Sequence, residues 1–396
     1  MRKRYILLLA VCLLAGGVAV SAQTAAREHL SVSAGGRFSH ILDGHDIYKN
    51  LLGTYNYGSA NVSLSFYTRP EDGGWYEWAY NYPDCGISLS YARTGAMQFK
   101  NASRFGDIVN LYGWLEIPLV RTPHFRLGPL LEVGVAFTGH PYDYNRNPYN
   151  LFIGSKVFTL VGTGLLAEWL FAPRWALQAG VYATHHSNGM LRSPNLGYNE
   201  LAVGVGVRHY LAPKSVAPKP ASAPERPEYG KGLHWSVFAA AGVHSCPVEL
   251  DAIHASNDPD RLAPARFRGV VGAELVWRYS PVFATGIGLE ADYAVNDYRG
   301  ADILLTGKED PKGYSPLRAG IYLMQEFHYR QFSAHIVAGI YLFKRSGLTE
   351  DVGRAFEKVG ARYQFRRAGG LFAGLDLRAH QFDRSYSLEW SLGYRF

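Results

Sequence analysis

A histidine and a serine separated by one residue are the first candidates for chemistry in this sequence. The segment 184–200 reads THHSNGMLRSPNLGYNE and contains His185 and Ser187. A serine hydroxyl is a weak nucleophile until a neighbouring base takes its proton. In a β-strand, residues i and i+2 point to the same face, so a strand here would place the imidazole beside the hydroxyl. The pair predicts acyl transfer through a serine, and this chemistry implies no metal or cofactor.

The residues before this pair predict the strand that would carry it. Apolar residues of the same parity as the pair occupy every second position: Trp175, Leu177, Ala179, Val181 and Ala183. The pair therefore lies at the end of an apolar strand face. His186 has the opposite parity and should point to the other face, which makes it the weaker candidate for the base. If the apolar face meets lipid, the pair lies at a membrane interface.

Period-two alternation recurs along the chain and predicts the fold class. In 131–137 and 201–207, apolar residues alternate with Gly, Ala or an occasional charged residue. This pattern is typical of a transmembrane β-barrel, which has an apolar lipid face and a polar interior. Beyond residue 20, no stretch reaches the roughly 18 apolar residues of a membrane helix. Only 18% of the residues are charged, against about 25% in soluble domains. We predict an all-β fold, a transmembrane antiparallel β-barrel.

The two ends of the chain predict its destination. A basic start, an apolar run over 5–20 and the small residues before position 23 are typical of a cleaved signal peptide over 1–22. The last strand alternates up to Phe396 and resembles the signal read by the outer-membrane barrel assembly machinery. Both features favour the outer membrane of a Gram-negative bacterium. The net charge of +7 suits a polyanionic partner, and for an exported chain this means membrane lipid and not nucleic acid.

A proline-rich segment divides the mature chain into two halves. Residues 212–231 contain five prolines and have the composition of an extended, semi-rigid linker. We predict one barrel over 23–211 and a second barrel-like domain over 232–396, with eight strands in each. The predicted strands are 29–40, 60–68, 86–93, 105–119, 124–138, 152–171, 173–187 and 198–211, followed by 233–244, 265–279, 281–294, 315–329, 331–344, 355–366, 368–380 and 385–396. A single barrel of sixteen strands is the alternative architecture.

Connection lengths predict the orientation of these strands. Short turns belong on the periplasmic side of such barrels and long loops on the outer side. The linker and both chain ends would then be periplasmic, and the His-Ser pair would lie at the outer surface. The segment 69–85 is long where a short turn is expected. An early start of the third strand at Trp75 would account for part of its length.

The motif around the pair resembles that of a known family. His185 and Ser187 are followed by Asn188-Gly189 and then by the run Pro194-Asn195-Leu196-Gly197, as in PagL-type lipid A 3-O-deacylases. The segments 145–155 (NRNPYNLFIGS) and 82–86 (YPDCG) are also similar, and the resemblance covers about 28–212. It implies an eight-stranded outer-membrane barrel that hydrolyses the 3-position ester of lipid A with a Ser-His-Glu triad. It places the nucleophile on Ser187 and the base on His185.

The third member of the triad has two candidates. Counted from Ser187, the family's acidic residue falls at Asn199, which shares the apolar face with Leu201. Glu200 lies one residue further and carries the charge that would stabilise an imidazolium. A bulge at the start of this strand could turn Glu200 outward, whereas asparagine can also orient a base. The sequence leaves both candidates open.

Other residues could bind the substrate. Asn188 and the Gly189 N–H are candidates for the oxyanion hole, and Arg192, Lys156 and Arg146 could meet the phosphates of lipid A at the outer rim. The second half lacks the H-x-S-N motif and is interpreted as an accessory barrel without this triad. The alternative function is a non-enzymatic barrel, either porin-like or a structural, adhesive surface protein.

Overall fold

The computed structural model describes most of the mature chain. The described residues are 28–42, 52, 54–71, 73–97, 99, 103–143, 145–189, 191–192, 195–244, 266–294, 315–345, 354–365, 367–380 and 384–396. The predicted signal peptide lies outside them. None of the helices in this part of the chain is long and apolar enough to cross a membrane.

The first half forms a closed antiparallel barrel, called the first barrel below. Its strands are β1 (Leu30–Leu42), β2 (Asn56–Tyr67), β3 (Asp84–Ala92), β4 (Ile108–Glu116), β5 (Val120–Arg121), β6 (Phe125–Thr138), β7 (Val157–Ala172), β8 (Trp175–Ser187) and β9 (Tyr198–Tyr210). Each long strand pairs with its neighbours, β4 pairs with β6, and β1 pairs with β9 to close the ring. The two-residue β5 pairs only with β6, so the ring itself has eight strands.

The second half forms a second closed barrel, the second barrel. Its strands are β10 (Gly232–His244), β11 (Arg266–Arg278), β12 (Phe283–Ala294), β13 (Leu317–Tyr329), β14 (Phe332–Phe343), β15 (Ala355–Gln364), β16 (Leu371–His380) and β17 (Arg384–Arg395). β10 pairs with β17 and closes this ring. The prediction of two eight-stranded barrels is confirmed, and the alternative of one sixteen-strand barrel is wrong. Following the orientation predicted from the connection lengths, we call the end that carries the linker the periplasmic end and the opposite end the outer end.

The alternation of the sequence separates two environments. Side chains of one parity form the outer face, where Val205 is 72% and Leu323 63% exposed. Side chains of the other parity fill the lumens, where Arg208 and Arg378 are almost completely buried. A large apolar outer surface is favourable when the surrounding medium is lipid. The fold is therefore that of a transmembrane β-barrel, as predicted.

Charged side chains fill the lumen of the first barrel at its periplasmic end. Arg126 forms ion pairs with Asp84, with Glu116 at 3.0 Å and with Glu168 at 3.1 Å. Arg208 pairs with the same Asp84 and Glu168, at 2.9 and 3.0 Å. Buried charges are tolerated when they are paired in this way. This network closes the periplasmic end.

The outer end of the first barrel is filled by an apolar cluster. It joins strand ends to the outer loops and includes Ile41, Tyr57, Phe105, Phe152, Phe158 and Tyr198. Small barrels of eight strands have interiors that side chains can fill. The lumen therefore acts as a core that supports the outer loops.

Ion pairs also fill the second barrel. Arg362 donates two hydrogen bonds of 2.7 Å to Glu274 near the periplasmic end. Arg378 pairs with Glu290 at 2.6 Å and with Glu389 at 2.8 Å nearer the outer end. In the part that the structure describes, buried and paired side chains occupy the lumens of both barrels.

The long segment between β2 and β3 contains a helix. α1 spans Trp75–Ala79 at the periplasmic end. The prediction of an early strand start at Trp75 is wrong, because this short segment has no partner strand and turns back instead. Asn81 and Tyr82, both with positive φ, provide the reversal into β3.

Candidate active site

His185 and Ser187 lie at the outer end of β8, on the face that the alternation assigns to lipid. Val181, on the same face of the strand, is 51% exposed. Ser187 is only 4% exposed, because the strand ends here and the following loop folds back over it. Among the described residues that follow the strand, Gly189, Asn195 and Gly197 lie against the serine. The hydroxyl is thus held in a partly desolvated position beside the lipid face.

Gly197 is the point at which this loop returns to the strand. Its φ is +64°, and a Cβ atom placed on it would lie 2.7 Å from the His186 carbonyl oxygen. The same Cβ would lie 3.1 Å from His185 Cε1 and 3.4 Å from Ser187 Cβ. The absence of a side chain at position 197 therefore lets the backbone pack against both candidate catalytic residues.

A neighbouring loop holds this return in place. The Leu196 N–H donates to the Leu151 carbonyl at 3.1 Å, and the Gly197 N–H donates to the Phe152 carbonyl at 3.0 Å. Within the neighbouring loop, the Asn150 amide donates to the His140 carbonyl at 2.7 Å. The segment 145–155 is thus a structural support for the site.

His185 is oriented by Asn199. The two residues are directly opposite each other on β8 and β9. His185 Nδ1 lies 2.8 Å from Asn199 Oδ1. Because the asparagine oxygen only accepts, Nδ1 carries the proton in this pair and Nε2 is left with a lone pair. This is the tautomer that a general base requires.

Glu200 lies in the lumen, away from Ser187. β9 pairs with β8 and with β1 in continuous register along its whole described length, so no bulge turns the carboxylate outward. Glu200 is 7% exposed, and its Oε1 lies 3.9 Å from Nε2 of His186. His186 itself stacks on Tyr198 with ring centroids 4.5 Å apart. His186 and Glu200 therefore lie together in the lumen, on the opposite face of the strands from His185 and Asn199.

Two N–H groups point at the serine hydroxyl. The Gly189 backbone N–H donates to Ser187 Oγ at 3.1 Å, and the Asn195 side-chain amide donates to it at 2.9 Å. The Asn195 side-chain oxygen also accepts from the Asn188 N–H at 3.0 Å. Asn195 is a residue that sequence reasoning did not assign. The sequence feature that could have identified it is its position in the run Pro194-Asn195-Leu196-Gly197 of the family-like motif.

The contacts of Asn188 lie within the loop itself. Its side-chain amide donates to the Arg192 carbonyl at 2.8 Å. The amide therefore holds the turn closed, while the neighbouring Gly189 supplies the N–H that reaches the serine oxygen.

The predicted substrate-binding cations lie in segments at the outer end of the first barrel. Arg192 and Lys156 are both exposed. Lys156 directly precedes β7, in which Thr159 is opposite Ser187, so it lies beyond the serine along the strand direction. Arg146 is exposed in the supporting loop. None of these cations is brought into contact with the His-Ser pair by the contacts of the described residues.

Comparisons with known proteins agree with the two-barrel division. A family model described as lipid A 3-O-deacylase (PagL) matches residues 66–208, and one described as acyloxyacyl hydrolase, C-terminal domain, matches 233–396. No curated protein matches the chain.

Two solved structures match part of this chain. The outer membrane enzyme PagL has 16% identity and a TM-score of 0.30, covering 44% of this chain and 97% of its own. Neisserial surface protein A has 12% identity and a TM-score of 0.27, covering 46% of this chain and 96% of its own.

Proposed function

We propose that this chain, which belongs to the family of PagL lipid A 3-O-deacylases, is an outer-membrane esterase that removes the 3-O-linked acyl chain from lipid A. Ser187 is the nucleophile and His185 the general base. The observation that carries this proposal is a serine that accepts two N–H hydrogen bonds and lies two residues along the same strand face from a histidine oriented by Asn199. All of these groups lie at one end of an apolar strand face, and in the proposed orientation this end faces the outer leaflet.

The reaction follows from the groups around Ser187. Oγ attacks the ester carbonyl carbon while His185 Nε2 takes the hydroxyl proton. The carbonyl oxygen becomes an oxyanion beside Oγ, and in this proposal the Gly189 and Asn195 N–H groups, which donate to Oγ before the attack, stabilise it. When the intermediate collapses, the sugar oxygen leaves with the proton from His185 and the acyl group stays on the serine. Water, deprotonated by His185, then attacks the acyl-enzyme and releases a 3-hydroxy fatty acid.

Asn199 is the residue that we propose to orient His185. It holds Nδ1 at hydrogen-bond distance, whereas Glu200 contacts the lumen-facing His186. Asparagine contributes no negative charge, so it stabilises the imidazolium less than a carboxylate would. Its contribution is to fix the tautomer and the ring orientation.

Substitutions at positions 199 and 200 separate the two candidates. We expect Asn199→Ala to lower kcat on the order of 10²-fold with little change in KM, because a positioned base contributes at least this much. Asn199→Glu should retain or raise kcat, since it restores an accepting oxygen and adds a charge. Glu200→Gln, an isosteric change in the lumen, should leave kcat within about twofold. Steady-state kinetics on purified variants measures all three. A large loss in Glu200→Gln with an unaffected Asn199→Ala would reverse the assignment.

Mass spectrometry of lipid A tests the function itself. Purified protein in detergent is incubated with lipopolysaccharide, and both the lipid A and the released fatty acids are measured. We expect lipid A to lose the mass of one 3-hydroxyacyl chain, with the free 3-hydroxy fatty acid in equal amount. Intact lipid A after prolonged incubation with folded protein, or loss of a secondary acyloxyacyl chain instead, would refute the proposal.

The non-enzymatic alternative has less support from the structure. A porin needs an open lumen, whereas in the described residues the charged network occupies one end of the first barrel and the apolar cluster occupies the other. A purely structural barrel would not require a serine that accepts two hydrogen bonds beside an oriented histidine.

A further inference from the structure

The loop that follows Ser187 touches the second barrel. A Cβ atom placed on Gly189 would lie 3.8 Å from Leu388 Cβ and 4.0 Å from Leu377 Cδ1. Leu377 and Leu388 are opposite each other on β16 and β17. Both are half-buried, whereas Trp390 and Leu392 further along β17 are 65% and 57% exposed. The contact therefore involves the outer-end part of this apolar face.

A second set of contacts joins the barrels at the periplasmic end. Glu77 in α1 accepts hydrogen bonds from the Tyr329 hydroxyl and, at 2.7 Å, from the Arg330 guanidinium. The Tyr80 hydroxyl donates to the His328 carbonyl at 2.8 Å. Burial opposes ionisation of Glu77, but these partners hold its pKa below the ordinary value. We call this set, which connects α1 to the turn between β13 and β14, the periplasmic clamp.

The linker is part of the same assembly. The Trp78 indole N–H donates to the Pro220 carbonyl at 3.1 Å, and the Lys219 ammonium lies 4.3 Å from the Trp78 ring centroid. Further along, the Tyr229 hydroxyl donates to the Tyr279 carbonyl at 3.2 Å. The linker thus lies against both barrels, which restricts their relative movement at the periplasmic end.

From these two contact regions we infer that the second barrel forms one wall of the acyl-chain site of the first barrel. The periplasmic clamp fixes the barrels side by side, and the face around Leu377 and Leu388 then lies next to the Ser187 loop. An acyl chain whose carbonyl reaches Ser187 must extend from there into the lipid layer. A fixed apolar wall at this point limits where the chain lies and how far it extends. Leu377 and Leu388 are therefore specificity-determining residues in a barrel that has no H-x-S-N motif.

This inference rests on the proposed esterase function, but its geometric part can be tested separately. In a background with Cys85 and Cys246 changed to serine, we introduce Gly189→Cys together with Leu388→Cys. The separation of 3.8 Å between a Cβ atom placed on Gly189 and Leu388 Cβ is close to the value found in disulfides. We expect this pair to oxidise to an intramolecular disulfide, detected by mass spectrometry of proteolytic fragments. The matched pair of Gly189→Cys with Leu392→Cys, on the same strand face, should remain reduced. Since Gly189 has φ +62°, the single Gly189→Cys variant controls for folding.

The functional part is tested by chain-length preference. We expect Leu388→Trp to lower kcat/KM by about tenfold or more for lipid A with long 3-hydroxyacyl chains, and much less for short ones, as is usual when an apolar pocket is filled. Leu388→Ala should shift the preference toward longer chains, and Leu392→Ala should leave it unchanged.

Each result supports or overturns the inference. Failure of the Gly189–Leu388 disulfide in folded protein, or an unchanged chain-length profile in both Leu388 variants, would show that the second barrel is not the wall. If the wild-type protein releases no 3-hydroxy fatty acid at all, the esterase proposal fails instead. The disulfide result then still reports whether the barrels lie as described.

Discussion

Replacing Ser187 by alanine should reduce the release of 3-hydroxy fatty acid by about 10⁴-fold or more, because the acyl-enzyme can no longer form. His185→Ala should cause a loss of similar size, since Ser187 then has no base. The double variant should be no worse than either single variant, as residues that act as one unit give non-additive losses. Quantification of the released acid against time, with equal amounts of folded protein, measures all three.

The chain offers a matched control for the histidine. His40 on β1 contacts Asn56 on β2 through Nδ1 and Oδ1, 2.8 Å apart, which is the same cross-strand arrangement as His185 and Asn199. It also lies near the outer end, but position 42 is a leucine and not a serine. His40→Ala should therefore retain activity within a few-fold. Equal losses in His40→Ala and His185→Ala would indicate a general effect on the barrel surface and remove the evidence for a specific base.

The strands could be predicted because their information is local. In a membrane barrel, lipid on one side and a packed lumen on the other impose a period of two on each strand. The runs around Val133 and Val205 carry this period, and the strands lie where it predicts. Closure into two rings follows from the eight strands on each side of the linker. The helix α1 had no such signal, because its partners Tyr329 and Arg330 lie about 250 residues away in the sequence.

The candidate site also has one part that local sequence patterns predict and another part that depends on distant contacts. His185 and Ser187 are on one strand, so parity predicts that they share a face. Asn199 could be placed on that face, yet parity alone could not choose between it and Glu200. The choice depends on whether β9 has a bulge, which is a property of the strand pairing. The role of Asn195 depends on the loop conformation set by Gly197 and the support of residues 151–152. That conformation comes from tertiary contacts that no local pattern encodes.

The largest stability effect should come from Arg126, inside the first barrel. This guanidinium is 3% exposed and lies between Asp84, Glu116 and Glu168. Arg126→Met removes the positive charge and leaves the carboxylates poorly compensated in a buried position. Removing one partner of a buried ion pair typically costs about 3–5 kcal/mol. We expect the free energy of unfolding to decrease by this amount. Denaturant titration of the folded barrel in detergent micelles measures the decrease.

Two comparisons identify the cause of that loss. Arg174→Met changes an exposed arginine in the turn between β7 and β8 and should alter the free energy of unfolding by less than about 0.5 kcal/mol. Arg126→Met combined with Glu116→Gln should recover part of the stability, because it also removes one of the uncompensated charges. If the double variant is less stable than Arg126→Met alone, packing of the arginine side chain and not charge compensation holds this end of the barrel together. A result for Arg126→Met as small as that for Arg174→Met would mean that Arg208 and Lys214 alone balance the three carboxylates, since both already contact Glu168.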